Sequence, residues 1–469
     1  MAGSVTAGPS AAVRRMLVPL ALAQFICSFA GSNMNVMIND ISKDLNTTVR
    51  GVQTCITIFL LVMAAFMIPG GKLTVRWGRK RCFTLGLMIY AVGAVLSAVS
   101  PGLGVLILGN SILEGIGTAL LIPPVYILTT LLFTDVTSRA RAFGVISGMG
   151  GVGAAAGPLL GGLITTAISW RAAFVFQTLV IVVILYLTRP MKDPLPPDPT
   201  SHPDPWGTVF SASGLVLVVA GIQLAATNLW WTLGLVSAGA VVLALFFHHI
   251  RARERSGKEP LLSTQLFRNR TSNLGLVTQN VQWLLLLGSS FVVSAYLQVI
   301  RGYNAIQTGV IFTAATLGIL ISSIAAERFA KRRSQRTLVV TGFAIAVVGV
   351  GILLLLVVWK PSPWAFAPGL FLLGFGCGTM LTPSVNIVQS SWLERLQGEI
   401  SGLSRAVSNL GSTFGTAIAG TVLVALVAEG KRAYGYAMIV LAVAAVAGLV
   451  ASLFLPRHFE AVGADPKAA

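Results

Sequence analysis

Glu114 is the side chain best placed for chemistry in this sequence. It stands in an apolar stretch that opens at Leu103 and runs to about residue 130. At roughly 1.5 Å per helical residue its carboxyl lies about 17 Å into a hydrocarbon layer about 30 Å thick, close to the middle. A charged, unpaired carboxylate at that depth costs on the order of 3 kcal/mol, so the group must face a cavity, find a partner or hold a proton. A cavity opening alternately to the two sides would let it load and release a proton or a cationic ligand, which makes Glu114 the candidate proton or substrate carboxylate. A neutral Glu hydrogen-bonded to a neighbouring helix for stability is the plain alternative. Asn33 and Asn35 add two amides near the end of the first apolar stretch. They line the same cavity or bond helix to helix.

The elements that hold these groups are membrane helices. Of 469 residues 55% are hydrophobic and only 10% charged, and mean hydropathy is +0.82. Too few polar side chains exist to cover a water-soluble surface. Breaks at charges, Pro and Gly give fourteen spans: residues 16–38, 51–71, 82–100, 103–130, 143–166, 169–189, 207–227, 229–249, 273–299, 306–327, 337–358, 363–388, 403–428 and 434–455. With this count, 26 of the 33 Lys and Arg residues fall in the tails and alternate loops of one side or at the span margins that adjoin them. Inner loops retain Lys and Arg, so both termini are expected in the cytoplasm. The net charge of +18 is spread over short loops and gathered on no single domain, so nucleic acid is not an expected partner. Cys27, Cys55, Cys82 and Cys377 have no metal-ligand spacing and read as small hydrophobes.

Two longer inward segments divide the chain. The expected organisation is a cytoplasmic N-terminus (1–15), a six-helix bundle (16–189), a linker (190–206), a central helix pair (207–249), a basic loop (250–272), a second six-helix bundle (273–455) and a cytoplasmic tail (456–469). The linker holds seven prolines in 17 residues and reads as extended and poorly ordered. In the basic loop, Leu261, Leu262, Leu266 and Phe267 form an apolar pattern that lies on the anionic inner leaflet or in a solvated loop. Internal repetition supports the division. Val75-Arg76-Trp77-Gly78-Arg79-Lys80-Arg81 follows the second span, and Glu327-Arg328-Phe329-Ala330-Lys331-Arg332-Arg333 follows the second span of the later half. Gly115-Ile116-Gly117-Thr118 in the fourth span pairs with Gly376-Cys377-Gly378-Thr379 in the twelfth. Repeated halves with a site between them are the build of many secondary transporters.

Two motifs carry more. Between the second and third spans stand Gly71, Leu73, Val75, Arg76, Gly78, Arg79 and Lys80. This run resembles the signature loop G-x-L-a-D-R-x-G-R-K of the major facilitator superfamily. In the fifth span Gly144, Gly153, Gly157, Pro158, Gly161 and Gly162 match in full the antiporter signature G-x8-G-x3-G-P-x2-G-G of its drug exporters. The chain is thus similar to the fourteen-helix drug:proton antiporter branch. The resemblance implies an all-α membrane protein of the major facilitator fold, with two six-helix bundles plus a central helix pair. It implies a latch on the cytoplasmic side built on the basic run, although the same charges also serve topology. Glycines every fourth residue let another backbone lie close, and Pro158 bends the helix.

Departures from the family pattern bear on coupling. Val75 replaces an Asp, so a latch built on that carboxylate is missing or replaced. Ser111 stands where the fourth-span motif R-x-x-Q-G-x-G has Arg, and Glu114 where it has Gln. Ala30 replaces an Asp and Ser32 a Thr in the first span, while Asn35-Val36 match. Asp40 and Asp44 lie near the outer end and are expected in water. Gln298 with Arg301-Gly302-Tyr303 resembles the join between the first two helices of the last bundle, and Gln279, Asn280, Gln282, Asn386, Gln389 and Asn409 add amides.

The expectation is a secondary active exporter in the bacterial inner membrane, exchanging hydrophobic or cationic drugs for protons by alternating access. Its partners are the lipid bilayer, a small hydrophobic or amphiphilic substrate and protons. A lipid or metabolite exporter of the same fold and a non-transporting membrane sensor or assembly partner are the alternatives. No nucleotide-binding Gly-Lys-Ser/Thr loop, metal spacing or nucleophile elbow occurs, so the chain is not expected to be an enzyme or to need a cofactor or metal.

Overall fold

The computed structural model describes residues 11–133, 136–197, 204–225, 227–330, 333–359, 362–392 and 396–457. Fourteen helices among these are long and apolar enough to cross a membrane. They are α1 (Ala11–Asn33), α2 (Val49–Trp77), α3 (Arg79–Ala98), α4 (Leu103–Leu132), α5 (Val136–Ala167), α6 (Trp170–Thr188), α7 (Pro205–Leu224) and α8 (Leu229–Arg255). Then follow α9 (Arg270–Ala295), α10 (Ala305–Ala330), α11 (Gln335–Trp359), α12 (Phe366–Gln389), α13 (Gln397–Ala425) and α14 (Lys431–Leu453). Side chains that accept from the first turn mark several starts: Thr48 for α2, Ser169 for α6, Asp204 for α7, Asn228 for α8 and Asn269 for α9. Trp230, Trp231 and Trp364 are exposed near helix ends, as an interfacial belt requires.

The two halves repeat one packing. A Cβ on Gly153 of α5 would come within 2.2 Å of the Phe25 carbonyl oxygen of α1, and one on Gly157 within 3.1 Å of that of Phe29. In the later half, Cβ atoms on Gly411 and Gly415 of α13 would come within 2.1 and 2.3 Å of the carbonyl oxygens of Asn280 and Leu284 of α9. Glycines four apart meet carbonyls four apart in both cases, so α5 on α1 and α13 on α9 are counterparts. The same contacts correct one sequence pairing. Gly117 packs on Gly86 and Tyr90 of α3, and the glycine that packs likewise on α11, at Gly342, is Gly376. Gly115 lies on α2 at Phe59 and Val62, matching Gly374, which lies on Ala315 of α10. The glycine pair occurs in two overlapping registers in α12, and only the neighbours reveal which is equivalent.

The central pair is held to the seam between the halves. Gly214, Gly221 and Gly239 bring α7 and α8 into close contact. The far end of α7 is tied to α2 by Arg50 Nη2 donating to the Gln223 carbonyl at 3.1 Å, and to α13 by Thr421 Oγ1 donating to that of Ile222 at 2.9 Å.

Three segments differ from their sequence reading. Leu261, Leu262 and Leu266 do not lie on lipid; they are buried with Phe246, Ile250, Leu276 and Leu403 under the ends of α8, α9 and α13. Burying that apolar surface between helices satisfies the pattern as well as a leaflet would. Nor is the start of the Pro-rich linker loose. Met191 is buried, and Arg79 Nη1 donates to the Pro196 carbonyl at 3.1 Å. Asp44 is paired and not simply solvated, bonding to Arg171 and, at 3.1 Å, to Trp170 Nε1.

Candidate functional site

Glu114 ends a π-helical stretch, Ile107–Glu114, inside α4. Such widened turns occur often at functional positions because they re-aim side chains. Here the stretch turns the carboxyl toward α3: a Cβ on Gly93 would meet Glu114 Cγ at 2.9 Å, and Ser97 Oγ donates to Oε1 at 3.3 Å. Glu114 is fully buried, and its Oε2 has no hydrogen-bond partner among the described residues. In the same layer Tyr90 donates to Gln177 Oε1 of α6 at 2.6 Å. The carboxyl therefore sits between α3 and α4.

Ser111, one turn earlier, takes the other side. Its hydroxyl donates to the Cys55 carbonyl of α2 at 2.7 Å. Asn33 has both amide atoms buried without a partner among the described residues and lies where Gly157 and Gly161 of α5 pack on α1. Asn35 acts through its backbone: its carbonyl accepts from Ser294 and, at 2.7 Å, from Gln298 Nε2. With Asn39 N–H donating to Gln298 Oε1 at 3.1 Å, these bonds join the two halves on the face opposite the start of α1 and the end of α14. The four candidates are spread over four separate contacts and do not form one pocket.

On the face with the termini, the basic run is mostly helix. Gly71, Leu73, Val75 and Arg76 belong to the last turns of α2, and only Gly78, at φ +96°, makes the turn. That φ requires glycine. A carboxylate does meet the turn, but it comes from the segment after α6 and not from position 75. Asp193 Oδ2 accepts from the backbone N–H of Arg79 and of Lys80, at 2.5 and 3.2 Å, at the N-terminus of α3. One position earlier than Leu73, Lys72 pairs with Glu399 of α13 at 2.9 Å. Glu327 and Arg328 fall in the last turn of α10, and their side chains lie outside the described residues.

The antiporter glycines bridge both halves. Gly153, Gly157 and Gly161 pack on α1, while a Cβ on Gly162 would come 2.4 Å from the Ala305 carbonyl oxygen and one on Gly309 of α10 would come 2.3 Å from that of Pro158. Gly144 is exposed and touches nothing within 4 Å at its Cβ position.

Sequence reasoning missed Arg405. It was counted among the inward loop charges, yet it lies in the span Glu399–Ala425 of α13. Its guanidinium carbon sits 4.5 Å from the Tyr126 ring centroid of α4, and Tyr126 donates to Gln24 Oε1 of α1 at 3.3 Å. A narrow cleft at the seam is lined by Met67, Ile122, Pro123, Tyr126, Ser401 and Arg405. No carboxylate pairs with Arg405 among the described residues. An uncompensated charge at membrane depth costs on the order of 3 kcal/mol, and the signal for it was an arginine six residues inside a helical run.

The profile described as Major Facilitator Superfamily matches residues 20–416 and also 275–468. The chain belongs to the major facilitator superfamily. Within the superfamily it is similar to the puromycin resistance protein pur8 of Streptomyces alboniger, with 28% identity over 87% of this chain and 81% of that one. It is also similar to the multidrug efflux pump LfrA of Mycolicibacterium smegmatis, with 27% identity over 87% of this chain and 80% of the relative. A crystal structure of a peptide transporter, POT, in complex with sulfate superimposes with a TM-score of 0.67 over 94% of this chain and 93% of that one. At 17% identity that likeness speaks for the fold.

Proposed function

We propose that the protein exports small, largely apolar compounds by alternating access in exchange for protons, with the face carrying its termini in the cytoplasm. The observation that carries this reading is α5. Its glycines lie on α1 and its Pro158–Gly162 turn lies on α10, so the helix with the full antiporter spacing is also the one that joins the two halves. A rocking motion needs such a close, smooth contact. The relatives named above, a resistance protein and a multidrug efflux pump, support export over uptake.

Both ends of the seam are bonded in this structure, by Lys72–Glu399 on one face and Asn35–Gln298 on the other. Opening either side breaks one set and leaves the other. In this scheme Glu114 holds the proton. The partnerless Oε2 and the Ser97 bond to Oε1 suit a protonated carboxyl, and movement of α4 against α3 would expose it.

Reconstitution in liposomes with an imposed pH gradient tests this. Flux of a cationic, a neutral and an anionic fluorescent probe is followed together with lumenal pH, for wild type and Glu114→Gln. Uphill movement of any probe with proton counterflow, both abolished in the variant, is the expected result. Probe movement without a pH change would remove the coupling, and unaltered exchange in the variant would remove Glu114 from it.

A further inference from the structure

The charge preference of the site is legible in Arg405. We infer that its guanidinium is the docking point for an acidic group on the cargo, so that the protein carries amphiphilic organic anions. This rests on the export reading above and narrows it.

Three observations converge. First, an arginine stays charged at any working pH and offers five donors in a planar fork suited to a carboxylate or sulfonate. The Tyr126 ring covers a face of that plane, and none of the donors meets an acceptor among the described residues. Second, the carboxylates of two helices that form the cleft are committed elsewhere: Glu399 of α13 to Lys72 and the Ser263 N–H, and Glu114 of α4 to the α3 side. Third, the guanidinium lies where the two halves meet, in the cleft between α2, α4 and α13, and the walls beside it are Met67, Ile122 and Pro123. With the seam closed the cleft holds only about 10 Å³, so the cargo enters when α2 and α13 part, its apolar body against these walls and its oxyanion on Arg405. A cation in the same cleft would face like charge.

Tyr126 and Gln24 act as positioning residues. The Tyr126 hydroxyl is held by Gln24, whose Nε2 donates in turn to Ser28 Oγ at 3.2 Å, so the ring that carries the guanidinium is fixed from α1. Topology alone does not explain the arginine. A charge kept for orientation belongs at the helix end, and Arg405 lies six residues past Glu399, about 9 Å further along the helix.

The test uses the full-length protein in lipid nanodiscs and in liposomes with three probes of one shape. These are 1-pyrenesulfonate, the neutral N-methyl-1-pyrenesulfonamide and the cationic (1-pyrenylmethyl)trimethylammonium. Wild type is expected to bind the sulfonate at least about tenfold more tightly than either other probe, a difference of about 1.4 kcal/mol. Arg405→Gln should lose that preference while keeping its affinity for the sulfonamide within about twofold. Arg405→Lys, which keeps the charge and loses the fork, should fall between them and serves as the readout if the Gln variant fails to fold. An unchanged charge preference in either variant, or a wild type that favours the ammonium probe, overturns the inference. Binding in nanodiscs needs no gradient, so the two readings separate. Anion binding that depends on Arg405 without flux upholds this inference and defeats export. Proton-coupled flux of a neutral or cationic probe, indifferent to Arg405, does the reverse.

Discussion

Lys72 Nζ lies 2.9 Å from Glu399 Oε1, and the other oxygen of the same carboxylate accepts the Ser263 N–H at 2.9 Å. One side chain thereby ties α2 of the first half, α13 of the second and the segment between α8 and α9. The central helices are therefore coupled to the seam on this face as well as at Gln223 on the other. A conformational change that parts α2 from α13 must release the segment at Ser263 or leave it with one partner.

Glu399→Gln should loosen this closure. The two side chains are 19% and 22% exposed, so the ion pair is worth about 1 kcal/mol, a roughly fivefold change in the ratio of closed to open forms. Spin labels on the ends of α2 and α13 should show a longer, broader distance distribution in the variant. The charge exchange Lys72→Glu with Glu399→Lys should restore the wild-type distribution. If it does not, the pair is not what holds this face shut.

The antiporter helix makes a paired prediction. Gly153→Ala would place a Cβ 2.2 Å from a backbone oxygen of α1, which has no room to yield. Overpacking of that kind costs about 1–3 kcal/mol, so thermal stability and efflux should both drop. Gly144→Ala, in the same motif, meets nothing within 4 Å and should be neutral or slightly stabilising through helix propensity. Equal loss in both variants would mean that the motif works through something other than close packing.

On the opposite face the Arg171 hydrogen bond holds the Asp44 carboxyl below its usual value of 3.8. A lowered folded-state value means the pair stabilises above the unfolded value and is lost as pH falls through the folded one. Asp44→Asn should therefore differ from wild type in thermal stability at neutral pH, and the difference should begin to shrink near pH 4 and vanish once the pH is below the folded-state value. Because Asp44 is 46% exposed the effect is small, and a difference that persists at low pH would assign it to packing.

What the sequence showed and what it hid divides along physical lines. The spans and the fourfold spacing of Gly153, Gly157 and Gly161 are local periodicities, and these survive into the fold with shifts of a few residues at the helix ends. Glu114 was placed correctly along its helix, but position along a helix says nothing about azimuth, and the π-helical stretch ends with its carboxyl beside α3. Leu261, Leu262 and Leu266 announced burial without saying against what, and the choice between lipid and protein is tertiary. Arg405 was visible as a charge at the edge of an apolar run. Starting that helix four residues late, at 403 and not at Glu399, left Arg405 at the margin of the span, where it was counted with the loop charges. Lys72 and Glu399 are 327 positions apart, beyond any local signal.

The Asp193 cap gives the last prediction, because it replaces a carboxylate the sequence lacks at Val75. Asp193 accepts from two N–H groups that α3 leaves unpaired at its first turn, and it brings negative charge to the positive end of the helix. Asp193→Ala should cost about 1 kcal/mol and free the backbone around Lys192, which limited trypsin digestion would report as faster cleavage there. Gly78→Ala should cost about 1–2 kcal/mol for the φ of +96°. Its Cβ would also come 3.0 Å from Asp193 Oδ2, so part of its cost is pressure on the cap itself. With the cap removed that part disappears, and the double variant should be less destabilised than the sum of the singles. Strict additivity in denaturation midpoints would show that Gly78 and Asp193 act independently, and that the turn is set by backbone conformation alone.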